Sequence, residues 1–179
     1  VTPPLDVTLW HDATLQLLHM DAAGIDHAVL SSACYQDWMT LAAARIINDG
    51  TAALVASYPD RFSGMISVPP DGGEPMVDEI ERAKGLGLCA VNITTTHQNR
   101  YPDHDDFRLL FETAARLGLP VYVHPSWRTP LAHMDRWDME RAIGKPTDLT
   151  ISAANMMFSG RFHDLPGLRM MFAHLGGSL

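Results

Sequence analysis

The sequence predicts an α/β fold, a parallel sheet covered by helices, from two observations. Short runs of β-forming residues alternate with stretches of helical periodicity along the whole chain. Strands that alternate with helices pair in parallel, because the connection that returns the chain to the same end of a sheet is usually a helix. Two of the predicted strands also end in histidine, at His124 and His174. Folds of this class place their binding sites at the carboxyl ends of the strands.

The first half of the chain begins with a loop over residues 1–10, which have no periodicity. A lead helix follows, because apolar residues recur at helical spacing up to a glycine C-cap at Gly24. The β-formers of residues 28–31 predict the first strand. An alanine-rich helix is predicted over residues 40–58, where a proline ends it and the Asn-Asp-Gly sequence at 48–50 favours a break.

Two more strands and helices come next. A strand is predicted at residues 62–68, which run into a pair of prolines. The helix after it begins near Pro75, a residue suited to a first helical turn. A further strand is predicted at 89–95, and a regular apolar stripe then predicts a helix that ends at Gly118. Strand and helix therefore alternate without interruption.

The strand that carries His124 is predicted at residues 121–124, where side-chain alternation places His124 on the same face as Tyr122. The long connection that follows contains a predicted helix at residues 135–143, and connections of this length are usually functional. A helix at 146–158 and the strand that carries His174 complete the pattern.

Composition limits the possible functions. The chain has 179 residues, of which 46% are hydrophobic and 19% charged, as expected for one globular domain, or part of one, spanning residues 1–179. A net charge of −8 with scattered basic residues gives no surface for nucleic acid or an anionic membrane. No apolar run is long enough to span a bilayer. The two cysteines, Cys34 and Cys89, show neither metal nor disulfide spacing, which predicts reduced thiols and a cytoplasmic protein.

The predicted sheet stops where a helix should cover its last strand, shortly after His174. Both outer strands would be bare parallel edges, which proteins avoid. A complete barrel of alternating strands and helices needs about 200 residues or more. We therefore expect either a larger polypeptide or a partner chain to complete this sheet, and the exposed edges favour a homodimer.

Four segments carry a resemblance to a known family. They are MDAAGID at residues 20–26, YPDRF at 58–62, GLPVYVHP at 118–125 and FAHLGG at 172–177. In this order and at these separations they resemble the amidohydrolase-related proteins, a group of the amidohydrolase superfamily that includes aminocarboxymuconate semialdehyde decarboxylase and the resorcylate-type decarboxylases. The resemblance covers nearly the whole chain.

The resemblance implies a (β/α)8 TIM barrel of the metal-dependent hydrolase type, of which strands 2 to 6 are present here. It implies a divalent metal, zinc or manganese, at the carboxyl ends of the strands. His124 matches the family's metal ligand on strand 5. His174 matches its histidine on strand 6, a catalytic residue that contacts the substrate or the metal-activated water. The family's His-x-His pair on strand 1 and aspartate on strand 8 have no counterpart, and a catalytic zinc normally needs three protein ligands, so the other ligands are expected outside this chain.

Other polar residues near the strand ends receive weaker interpretations. Trp127 and Arg128 are candidate substrate-binding residues, the arginine as a bidentate partner for a carboxylate, although both side chains could equally pack on the barrel rim. Asn92 is interpreted as a hydrogen-bonded interior group, and so is Thr94, its neighbour on the same strand face. The loop residue His97 is expected to be solvated.

The predicted function is that of a metal-dependent hydrolase or decarboxylase, a lyase, acting on a small carboxylated cyclic or aromatic-derived compound. The same two histidines serve either chemistry, because both require a metal and a proton shuttle. A second hypothesis is an inactive barrel fragment that serves as a binding or structural module. A third, an open doubly wound sheet that binds a nucleotide, lacks a glycine-rich phosphate loop at its first strand-to-helix turn.

Overall fold

The computed structural model describes residues 12–32, 39–127, 129 and 131–177. The predicted loop over residues 1–10 lies outside the described residues, and so does Arg128. Five parallel strands form one sheet in chain order: β1 (Ala28–Leu30), β2 (Phe62–Ser67), β3 (Ala90–Thr94), β4 (Val121–His124) and β5 (Met170–Phe172). The predicted strands and their parallel pairing are confirmed.

Helices separate the strands, as the alternation predicted. They are α1 (Ala13–Ala23), α2 (Leu41–Ser57), α3 (Gly73–Gly85), α4 (Arg108–Leu117), α5 (Lys145–Phe158) and the single turn α6 (Arg161–Asp164). The lead helix starts at the N-cap Asp12, whose carboxylate accepts from two backbone N–H groups, and ends at Gly24 in the left-handed conformation. None of the described helices is long and apolar enough to cross a membrane.

The strand order decides between the two α/β architectures. A doubly wound sheet reverses its strand order at a switch point, whereas a barrel adds each new strand beside the last one. Here each strand pairs with the next strand of the chain, from β1 through β5. The described sheet therefore has the order of a barrel segment, and the doubly wound hypothesis is wrong.

One face of this sheet forms the hydrophobic core with the helices. Ile66, Val91 and Val123 are completely buried on that face, and they belong to a single cluster with Ile80 of α3 and Phe111 of α4. Burying a side chain of this size stabilises the fold by about 1.5–3 kcal/mol before entropic costs. The core therefore holds the strands in the positions that align their carboxyl ends.

The opposite face carries polar residues. Strand register pairs Ser67 with Asn92, Asn92 with Tyr122, and Thr94 with His124. Residues paired in this way point to the same side of a sheet. His124 therefore shares a face with Asn92 and Thr94, on the side that lies inside a barrel.

The expected break in the second helix is wrong, because α2 runs unbroken through Asn48. The Asn48 side chain is buried, and its Nδ2 donates to the Ser67 carbonyl oxygen at 3.0 Å and to Oε1 of Glu79 at 2.7 Å. Its Oδ1 accepts from the Ser67 N–H at 2.8 Å. These long-range bonds offset the weak helix propensity of asparagine.

Two further elements differ from the prediction. The helix expected over residues 135–143 is a π-helical turn, Glu140–Gly144, which continues directly into α5. The last strand ends at Phe172, so His174 lies in the turn after β5 rather than on the strand. The periodicity of a few residues cannot distinguish a π turn from an α turn, and it does not locate a strand end to better than a few residues.

Candidate active site

His124 occupies the carboxyl end of β4, on the polar face of the sheet. Its backbone carbonyl accepts from the N–H of Thr95, which extends the β3 to β4 pairing. Its ring Nδ1 lies 3.0 Å from the carbonyl oxygen of Pro125. Since a carbonyl can only accept, this bond places the ring proton on Nδ1 and leaves a lone pair on Nε2. A histidine held in this tautomer is suited to ligate a metal through Nε2.

His174 lies beside His124, as the two strand ends predicted. The ring centroids are 5.6 Å apart, and the ring planes are inclined by 53°. His174 is exposed, and its backbone has a φ of 47°, followed by Leu175 at 57°. Two successive non-glycine residues in the left-handed region are costly, and such strain concentrates at functional sites.

The surroundings of His124 favour its neutral ring. Burial is the largest cause that lowers the pKa of His124, and the neighbouring charges of His174 and Lys145 lower it further. The bond to the Pro125 carbonyl opposes these effects without reversing them. Because a metal binds the neutral imidazole, this environment prepares His124 for ligation.

Trp127 and Lys145 lie at the rim near His124. The indole of Trp127 is 52% exposed, and the Nζ of Lys145 lies 5.6 Å from the ring centroid, within the range of a cation–π contact. The substrate-binding role expected of Trp127 stays a prediction, because this position suits both a substrate contact and packing on the rim. The same role for Arg128 also stays a prediction, because that residue lies outside the described part of the chain. Sequence reasoning assigned no role to Lys145. Its position next to Pro146, at the start of the helix predicted after the His124 loop, was the sequence feature that could have placed it near the site.

A buried network connects the ends of β3 and β4 to α5. The carboxylate of Asp148, completely buried, accepts from the Tyr101 hydroxyl at 2.7 Å and from the Thr95 hydroxyl. The Thr95 Oγ1 accepts from the Ser126 N–H at 3.0 Å, and the Ser126 Oγ accepts from the Thr96 N–H at 3.0 Å. The loops on both sides of His124 are therefore tied together.

Burial dominates the electrostatics of this network. It raises the pKa of Asp148, while the hydrogen bonds from Thr95 and Tyr101 act in the opposite direction. Burial, followed by the bond to Asp148, raises the pKa of the Tyr101 hydroxyl. Sequence reasoning missed this network, because its members are separated by tens of residues and share no motif.

Two interpretations of interior and loop residues are wrong. Asn92 is completely buried, yet neither atom of its amide has a hydrogen-bond partner among the described residues. His97 is buried rather than solvated, and its Nε2 lies 3.2 Å from a carboxylate oxygen of Asp71. Thr94 agrees with expectation, since its hydroxyl donates to the Thr96 carbonyl oxygen at 2.7 Å. A loop position in the sequence does not reveal which neighbouring loop covers it.

Within the described ranges, no group of three or more His, Cys, Asp or Glu side chains converges in a way that could hold a metal ion. His124 nevertheless presents one ligand-competent nitrogen, and His174 lies close by. A divalent ion therefore fits the donor chemistry of His124 but needs further ligands from residues beyond those described.

The sequence model of the family described as "Amidohydrolase" matches residues 11–178. The chain belongs to the amidohydrolase family. The family assignment confirms the resemblance carried by the four sequence segments.

Similar amidohydrolase-family proteins are decarboxylases by name. The 2-amino-3-carboxymuconate-6-semialdehyde decarboxylase of Dictyostelium discoideum is 29% identical over 183 residues, covering 97% of this chain and 50% of that protein. The crystal structure of 5-carboxyvanillate decarboxylase from Sphingomonas paucimobilis has a TM-score of 0.85 and 30% identity, covering 99% of this chain and 56% of that one. The dihydroxybenzoic acid decarboxylase of Polaromonas sp. JS666, solved with manganese and the inhibitor 2-nitroresorcinol, has a TM-score of 0.81 and 27% identity over 94% of this chain and 56% of that one.

The same similarity identifies the barrel to which the sheet belongs. The five parallel strands form half of a barrel and match part of the TIM barrel of the amidohydrolase-superfamily decarboxylases. The chain spans about half the length of the relatives it matches.

Proposed function

We propose that this amidohydrolase-family protein is a metal-dependent decarboxylase that acts on a small carboxylated aromatic or aromatic-derived compound. The observation that carries the proposal is the pairing of His124 with His174, whose ring centroids are 5.6 Å apart at the carboxyl ends of neighbouring strands. Similarity to proteins named as decarboxylases supports this chemistry over hydrolysis.

In this proposal His124 is a metal ligand and binds through Nε2. The neutral tautomer set by the Pro125 carbonyl and the lowered pKa both support that role. Zinc or manganese, when bound, supplies positive charge that orients the substrate's oxygen atoms and stabilises negative charge as carbon dioxide leaves. Manganese in the similar Polaromonas structure supports a divalent ion of this kind.

His174 is the catalytic residue in this proposal. Its ring is exposed, so that it can exchange protons with solvent and reach a substrate placed beside His124. During decarboxylation, the bond between the carboxylate and its carbon breaks, and the electron pair stays on that carbon. A proton delivered by His174 then forms the new C–H bond, and solvent reprotonates the imidazole.

Hydrolysis is the alternative reaction. The same histidine would then move a proton from an attacking water to a leaving group, and no described residue distinguishes the two reactions. An inactive binding module is the remaining hypothesis, and its support is the lack of a three-ligand group within the part of the chain that the structure describes.

The proposal includes a small-molecule substrate, a homodimer and a cytoplasmic location. The two outer strands expose apolar side chains, with Val29 of β1 52% exposed and Met171 of β5 53% exposed, which supports association. The net charge of −8 argues against nucleic acid as a partner. Cys89 is a free thiol, in keeping with a reducing compartment.

The test combines metal analysis with a reaction assay on the protein at its gene-encoded length. Plasma mass spectrometry after growth with zinc and manganese is expected to find about one ion per chain. Carbon dioxide release is then measured with 2,6-dihydroxybenzoate and 5-carboxyvanillate. Bound metal with hydrolysis of an ester or amide panel, and no carbon dioxide, would favour the hydrolase. Absence of both metal and turnover would favour the binding module.

A further inference from the structure

Lys145 has an unusual environment for a basic residue in this acidic chain. The sequence contains 21 acidic residues, and lysine occurs only at positions 84 and 145. Among the residues that the structure describes, Lys145 forms no ion pair, and its ammonium makes a cation–π contact with Trp127. Lys84, in contrast, donates to the Leu117 carbonyl oxygen at 2.9 Å. The ammonium of Lys145 therefore retains donors for a ligand.

The position of Lys145 directs these donors to the candidate site. Its Nζ lies 5.6 Å from the ring centroid of Trp127, which follows His124 by three residues in the loop after β4. Lys145 is also the first residue of α5, and the carbonyl of the next residue, Pro146, lies close to Gly177, which follows the turn that carries His174. A Cβ built on Gly177 would overlap the carbonyl oxygen of Pro146. Lys145 thus lies at the rim between the two histidine-bearing segments.

The local backbone supports a specialised role. The π-helical turn Glu140–Gly144 precedes Lys145 directly, and π turns inside helices occur frequently at functional sites. Gly144 lies in close contact with the Thr129 side chain, since a Cβ there would approach its hydroxyl to 3.2 Å. The turn therefore brings the start of α5 against the loop that follows Trp127.

We propose that Lys145, held over the Trp127 indole, binds a substrate carboxylate that the reaction does not remove, so that the site selects compounds with two carboxylates. This inference rests on the proposed decarboxylase function. A cation on the departing carboxylate would stabilise the charged ground state more than the transition state, in which that group becomes neutral carbon dioxide. Lys145 therefore suits the carboxylate that stays, and the indole offers an apolar surface to a planar substrate.

The experiment measures binding rather than turnover. Isothermal titration calorimetry is performed on the manganese-loaded protein at its gene-encoded length, with benzoate and with isophthalate, which adds a second carboxylate to the same ring. The wild type is expected to bind isophthalate about tenfold more tightly than benzoate, since one charge-assisted hydrogen bond is added. Lys145→Met is expected to abolish this preference, and Lys145→Arg to keep most of it.

Lys84→Met is the matched control, because it removes the other lysine far along the chain from the site, and it should leave both affinities unchanged. If Lys145→Met melts at a lower temperature than the wild type, Lys145→Gln is used in its place. The subsite is overturned if Lys145→Met weakens both acids equally, if it changes neither, or if the wild type binds neither. If carbon dioxide is released but the preference for isophthalate does not depend on Lys145, the proposed subsite is wrong and the decarboxylase function stands. If the preference depends on Lys145 but no carbon dioxide is released, the decarboxylase function is wrong and the subsite stands.

Discussion

The Nδ1 atom of His124 lies 3.0 Å from the carbonyl oxygen of Pro125, the next residue in the chain. This contact sets the tautomer of the ring and leaves the lone pair on Nε2. A ligand prepared in this way binds a metal without first losing a proton. The contact therefore links a local backbone conformation to the proposed chemistry.

Replacement of His124 by alanine is expected to remove the metal. The lost nitrogen ligand should reduce metal content at least about tenfold, while the free energy of unfolding of the metal-free protein changes by about 1 kcal/mol or less. Plasma mass spectrometry and chemical denaturation measure the two effects. His133→Ala, at an exposed loop position, is the control. Unchanged metal stoichiometry in His124→Ala would exclude His124 from the site.

Replacement of His174 by glutamine should lower turnover and leave the metal in place. General acid catalysis by a positioned side chain contributes about 100- to 10,000-fold, so kcat should fall by that order while the metal content stays constant. Leu175→Ala changes the fully exposed neighbour of His174 and serves as the control. A variant that keeps its kcat would leave His174 without a catalytic role.

The titration of His124 can be followed by NMR in the metal-free protein. Burial lowers its pKa, so the C–H shifts should titrate below the ordinary value of about 6.5. Since the folded state resists protonation of this ring, the metal-free protein should lose stability as the pH falls below that value. Lys145→Met removes a neighbouring positive charge and should raise the pKa of His124. A titration at or above the ordinary value would contradict the observed environment.

Asp148 should make stability depend on pH in the opposite direction. Its pKa is raised in the folded protein, so its contribution is present at low pH and is lost as the pH rises through the folded pKa. As the pH rises through the folded pKa of Asp148, the free energy of unfolding of the wild type should therefore fall relative to that of the Asp148→Asn variant. Tyr101→Phe removes a hydrogen bond that lowers this pKa and should move the loss to higher pH. Denaturation curves that stay parallel between wild type and Asp148→Asn would contradict this assignment.

Gly64 permits the close approach of α2 to β2. A Cβ at this position would lie 2.5 Å from the Thr51 side chain and 2.7 Å from that of Leu88. Gly64→Ala should therefore lower the free energy of unfolding by about 1–3 kcal/mol. Gly50→Ala, in α2, meets no atom within 4 Å and should stabilise the protein by about 0.5–1 kcal/mol through helix propensity. Thermal or chemical denaturation measures the change in free energy of unfolding in both variants. Equal changes of the same sign would contradict the close packing of α2 on β2 at Gly64.

Local sequence patterns determined much of the fold. The alternation of β-forming runs with helical periodicity gave all five described strands and the helices between them, because each pattern reflects which face of one element is buried. The position of His124 at the end of β4 followed from the same reasoning, whereas His174 lies in the turn just after β5. A strand that ends in histidine places that side chain at the edge where parallel strands converge, wherever the rest of the chain lies.

Tertiary structure decided what depends on contacts between distant segments. The Asn48 amide stays inside a helix because it bonds to the end of β2, and Asp148 stays buried because Tyr101 and Thr95 donate to it. The placement of Lys145 over Trp127 likewise depends on a π turn that no local pattern predicted. Propensity and periodicity report the preferences of neighbours along the chain, whereas these side chains are held by partners that only the folded sheet and helices bring within hydrogen-bonding or ring-contact distance.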